Sequence, residues 1–83
     1  MSAIIMFRSL TRAQRGVQAL AAGGIPATVI RPPLALSERG CAFAVGVAKK
    51  RLAAALETLD REGISHEKAF LPAPDGTYRE AVL

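Results

Sequence analysis

An α+β domain with the element order β-α-β-β-α-β is predicted from three observations. Two stretches carry apolar residues at helical spacing, and each ends at a glycine. Four short apolar runs stand around them in strand-like lengths. Finally, 83 residues suffice for one domain only, and a chain of this size hides roughly 60% of its unfolded surface. Hydrophobic residues make up 51% of the chain, enough for a folded core. With three Phe, one Tyr and no Trp, that core must be built from Ala, Val, Leu and Ile.

The first strand is the continuous apolar run 2–7, as expected for a strand covered on both faces. Thr11 then opens a helix, because Thr11-Arg12-Ala13-Gln14 matches a capping box in which hydroxyl and amide each satisfy an orphan N–H. Ala13, Val17, Leu20 and Ala21 form its apolar stripe, and Gly16 beside them permits close approach to the sheet. Gly23-Gly24 ends it. Residues 27–31 form a second strand, halted by Pro32-Pro33, and a long loop runs from Pro32 to Gly40. The third strand spans 41–47. A second helix covers about 48–62, with Leu52, Leu56 and Leu59 on one side and Gly63 as its stop. Residues 64–71 are weakly patterned and more polar, as suits a fourth, edge strand.

This order is the ferredoxin-like one: a four-stranded antiparallel sheet, first and third strands central, two helices on one face. Residues 1–71 form the domain and 72–83 a C-terminal tail, where Pro74-Asp75-Gly76 signals a turn. The opposite sheet face is expected to be open. Because the first strand is apolar on both sides, a homodimer through that face is expected.

The lone cysteine excludes an internal disulfide, and no Cys/His cluster has metal-ligand spacing. No cofactor is indicated. The apolar start is too short for a signal-peptide core, and nothing approaches the ~20 apolar residues of a membrane span. A reducing, cytoplasmic location is the expectation. The net charge of +4 is unevenly placed: residues 1–47 hold five arginines against Glu38, whereas 48–83 hold six basic and six acidic residues. Arginine forks suit oxyanions better than lysine does; a solvated basic face without a ligand is the plain alternative.

The predicted topology gathers this charge. The end of strand one, the start of helix one, the end of strand two and the start of strand three share one edge of the sheet. Arg8, Ser9, Thr11, Arg12, Arg31, Arg39 and Cys41 lie there, beside a helix N-terminus that attracts anions. Such a corner favours the thiolate of Cys41, or an anionic adduct on it. Gly40 lets backbone come close to a bound group. A free cysteine that merely fills the sheet end is the competing reading.

Several of these features together resemble the selenium/sulfur carrier-like family. From about Ile4 to Phe70 they are Phe7-Arg8-Ser9 closing the first strand, Gly24-Ile25-Pro26 after the first helix, and Ile30-Arg31-Pro32-Pro33. The lone cysteine in Ser37-Glu38-Arg39-Gly40-Cys41 and the second helix ending at Glu62-Gly63-Ile64 complete the set. Ala42 stands where the family's cysteine is usually followed by glycine. The resemblance implies a carrier that holds a sulfur or selenium atom on Cys41 and passes it from a donor protein to an acceptor, without catalysis of its own. Arg39, Gly40, Arg8, Ser9, Thr11, Arg12 and Arg31 would stabilise the anionic adduct.

Two other readings use the same fold. RNA binding would follow the third-strand signature in Arg39-Gly40-Cys41-Ala42-Phe43-Ala44, but Cys41, Gly46 and Met6 occupy aromatic positions and only Phe43 remains to stack a base. At roughly 1–3 kcal/mol per stacked base, that loss disfavours a nucleic-acid partner. A metabolite-binding regulatory module would use the basic edge for an anion and leave Cys41 incidental. An enzyme is the least supported reading, since paired carboxylates and a phosphate-cradling loop are both lacking.

Overall fold

The computed structural model describes residues 2–33, 36 and 43–81. In chain order the elements are β1 (Ser2–Phe7), α1 (Leu10–Ala22), β2 (Ala27–Ile30), β3 (Phe43–Ala48), a short 3-10 turn (Lys49–Arg51), α2 (Leu52–Arg61), β4 (Ala69–Pro72) and β5 (Tyr78–Glu80). The strands form one five-stranded sheet in the order β2-β3-β1-β4-β5, antiparallel at every junction. The sequence predicts four strands; the fifth comes from the expected tail. Ala73 and Thr77 close a tight turn (Ala73 N–H to Thr77 carbonyl, 2.7 Å) that folds Tyr78–Glu80 back onto β4.

Alternation along β1 divides the core in two. Ala3, Ile5 and Phe7 face the helices and pack with Ala13, Leu20, Val45, Val47, Leu52, Ala55 and Leu59. Gly16 brings α1 close to this layer: a Cβ there would stand 3.1 Å from Phe7 Cζ and 3.4 Å from Leu59 Cδ2. Ile4 and Met6 point to the other face, which was expected to be open. It is not bare along β1. Leu36, from the connection between β2 and β3, packs there with Ile4, Met6 and Ala44, and Ile4 and Met6 are each only 2% exposed within a single chain. Ile30, Phe70 and Tyr78 border the cluster. A second copy is therefore not needed to bury the outward side of β1, and the premise for a homodimer through that face falls away at these residues.

Both helices end alike. Gly24 (φ 80°) and Gly63 (φ 69°) adopt the left-handed conformation. Ile25 N–H reaches back to the Leu20 carbonyl, and Ile64 N–H to that of Leu59. Gly24 and Gly63 donate to the carbonyls of Ala21 and Asp60, which completes two Schellman motifs. At the other end of α1 the expected capping box does not form. Ser9 is the N-cap, its Oγ accepting from Arg12 N–H at 3.1 Å, and the helix starts at Leu10. Thr11 thus lies inside the first turn. The fourth strand is also shorter than expected. Met6 donates to the Lys68 carbonyl and accepts from Glu67 N–H, so two residues stand opposite one in the manner of a β-bulge. Regular pairing begins only at Ala69.

Candidate functional site

Strand pairing fixes the edge at which the basic residues were expected to meet. Phe7 pairs with Phe43, and Ile30 pairs with Ala44. β3 therefore begins between the end of β1 and the end of β2, and α1 starts from the same edge only three residues after Phe7. Neighbouring strands lie ~4.8 Å apart, so the chain leaves β1 and β2 at points about 10 Å from each other, on either side of the start of β3. Arg8 follows one strand and Arg31 the other. Arg39, Gly40 and Cys41 lie outside the described residues.

The five described candidates have different surroundings. Arg8 is engaged: its Nε donates to Glu67 Oε1 at 3.0 Å. The bulge at Glu67–Lys68 sets this partner beside the end of β1. The Arg8 side chain is 63% exposed, and such pairs contribute about 0–1 kcal/mol, so the contact positions charge more than it stabilises the fold. Ser9 Oγ is occupied as the helix cap. Thr11 is exposed in the first turn of α1, a turn that contains no acidic residue. Arg31 is exposed after β2. Arg12 is exposed on the flank of α1, where it lines a groove of about 540 Å³ with Arg15, Gln18, Ala19 and residues 62–65. Among the described residues, Arg12, Arg15 and Arg31 form no ion pair.

One neighbour of the edge escaped sequence reasoning, and another lies in a different setting than expected. Glu67, 59 residues from Arg8, carries no local signal that it neutralises that arginine. His66 lies in 64–71, where a fourth strand was expected. It sits instead in the irregular segment before β4, half-buried, with its ring edge-on to Phe7 at 6.4 Å between centroids. Its Nδ1 lies 2.6 Å from the Glu67 carbonyl, which can only accept, so Nδ1 carries the proton in that contact.

The sequence model of one protein family, described as Putative Se/S carrier protein-like, matches residues 2–71. The chain belongs to this family. No curated protein and no solved structure matches it. The match includes Arg8, Arg12, Arg31 and Cys41, together with the Arg8 partner Glu67. It ends within β4, before the turn that leads to β5. Chemically, the described part of the edge offers guanidinium groups and a helix N-terminus. Among the described residues no group of three His, Cys, Asp or Glu could hold a metal ion, and no helix is long and apolar enough to cross a membrane.

Proposed function

We propose that the protein is a sulfur or selenium carrier whose cargo sits on Cys41. The observation that supports this most directly is the pairing of Phe7 with Phe43 and Ile30 with Ala44. Cys41 is two residues from Phe43, and covalent geometry holds their Cα atoms within about 7 Å whatever the conformation between them. In this reading the cysteine belongs to the edge flanked by Arg8 and Arg31 and by the start of α1. Positive charge and helix N–H groups favour a thiolate over a thiol, and an anionic persulfide over its neutral form.

In the proposed step, the Cys41 thiolate attacks the outer sulfur of a donor protein's persulfide. The new S–S bond forms as the donor's S–S bond breaks, and the donor leaves as its thiolate. Transfer to an acceptor thiolate reverses the roles, leaving Cys41 as a thiolate again. Selenium would travel likewise as Cys–S–SeH. The cycle is a pair of exchange reactions without a general base, which fits a carrier better than an enzyme. Arg39, Gly40, Arg8, Ser9, Thr11, Arg12 and Arg31 are the proposed anion-stabilising set, with Ser9 acting through the helix it caps. We also take β1 to β4 as a ferredoxin-like unit, since β2-β3-β1-β4 has that strand order, and β5 as an addition to it. A lone thiol that must stay free of disulfides suits a reducing, cytoplasmic setting.

Two measurements test the reading. Alkylation of Cys41 as a function of pH should give a thiol pKa below the ordinary value of about 8.5. Intact mass after exposure to a small-molecule persulfide donor should increase by one sulfur atom in the native protein and not in Cys41→Ser. A thiol that titrates at the ordinary value and gains no sulfur overturns the proposal.

A further inference from the structure

We propose that the groove between α1 and the α2–β4 connection is a docking site for a carboxylate-bearing segment of a protein partner. One wall is the flank of α1 with Arg12 and Arg15, three residues apart on one helical face. The other wall is the turn after α2, where the Schellman motif at Gly63 aims Ile64 and Ser65 toward the helix. Charge complementarity identifies the occupant. Residues 2–33 contain four arginines and no acidic residue. Arg8 already has Glu67, whereas Arg12 and Arg15 form no ion pair among the described residues, although Glu62 lines the same groove.

The dimensions favour a peptide over a single small anion. From Arg12 to Ala19 the helix rises about 10 Å, the length of about three extended residues. Ala19 and Ile64 supply apolar contact along that length, and about 540 Å³ exceeds what one oxyanion fills. Glu62 repels acid at its own position, so the carboxylates seat against Arg12 and Arg15. The Arg12 end lies one helical turn from the Ser9 cap, so a docked segment brings its owner to the edge proposed for Cys41. That this owner is a donor or acceptor of sulfur or selenium rests on the carrier reading; the groove itself does not.

The test is a titration of the isotopically labelled full chain with a short glutamate-rich peptide, followed by amide chemical shifts. The expected changes centre on Arg15, Gly63 and Ser65 and fade as salt rises. Arg12→Gln with Arg15→Gln should weaken binding about fivefold, as expected for two exposed ion pairs. Lys49→Gln with Lys50→Gln removes the same charge at the opposite edge and should leave binding unchanged. Equal weakening by both pairs would overturn the proposal, because net charge alone would explain it. Inorganic phosphate binding the same amides as tightly as the peptide would also overturn it, in favour of a small-anion site. Cys41→Ser should bind the peptide as the native chain does, so failure of the carrier chemistry would leave this result standing.

Discussion

Arg8 donates through Nε to Glu67, and that bond governs how much of its charge is left for an anion at the same edge. Replacing the carboxylate should therefore sharpen the site. Glu67→Gln is expected to lower the alkylation pKa of Cys41 by a few tenths of a unit, and Arg8→Gln to raise it by a similar amount, the size expected for exposed, solvent-screened charges. The pH profile of thiol alkylation in the two variants checks this; identical profiles would remove Arg8 from the site. Arg8 was legible in the sequence as part of a basic edge, because topology alone places it there. Its partner was not, since Glu67 reaches it through a pairing between distant segments that no local pattern encodes. Ser9 and Thr11 show a different ambiguity: two hydroxyl residues two positions apart both fit a helix cap. The choice of Ser9 is settled by where β1 releases the chain, one residue earlier at Arg8.

At the level of elements, the paired glycine–isoleucine endings do most to set chain direction. Each glycine turns the chain through a left-handed residue, and the isoleucine after it returns a hydrogen bond to the helix. In place of glycine, any residue with a Cβ costs roughly 1–2 kcal/mol in that conformation. Gly63→Ala should lower unfolding stability by about that amount and disturb the groove at Ser65; urea unfolding measures the loss. The β4–β5 turn also acts on a carboxylate. Thr77 donates to Asp75 through its hydroxyl (2.6 Å) and its backbone N–H (3.1 Å), and these bonds hold the Asp75 carboxyl below its usual range. A depressed carboxylate stabilises the fold above its unfolded pKa, about 3.9, and that contribution disappears as pH falls through the lower folded value. Amide protection in the β4–β5 hairpin should thus decline below about pH 4, and Asp75→Asn should flatten the dependence. Apolar runs and glycine stops made β1, β2, β3 and both helices readable. β5 was signalled only by the turn at Pro74-Asp75-Gly76, because Tyr78-Arg79-Glu80 has little apolar character and becomes a strand by pairing with β4.

For the whole molecule, Leu36 is the residue that finishes the core. It is 8% exposed and lies over Ile4, Met6 and Ala44 on the side of the sheet away from the helices. Nothing in Leu34-Ala35-Leu36, three apolar residues between two prolines and Ser37, announces such a role for Leu36, so the sequence suggested an open face. Leu36→Ala should cost about 2–3 kcal/mol, at the low end for a large-to-small core change. It should also expose the outward side of β1. Sedimentation of that variant should reveal self-association beyond that of the native chain, and equal behaviour would assign the cover to other groups.

The same leucine shortens the leash on the sulfur. Its N–H donates to the Pro33 carbonyl at 2.9 Å, and β3 grips the chain again at Phe43. Only six residues lie between these two moorings, and Cys41 is the fifth of them. A span of that contour rules out a long swinging arm that ferries cargo across tens of ångströms. On the proposed carrier reading, delivery is then a matter of approach: the acceptor's own thiol must be carried to this rim, on a protruding loop or at the lip of a shallow active site.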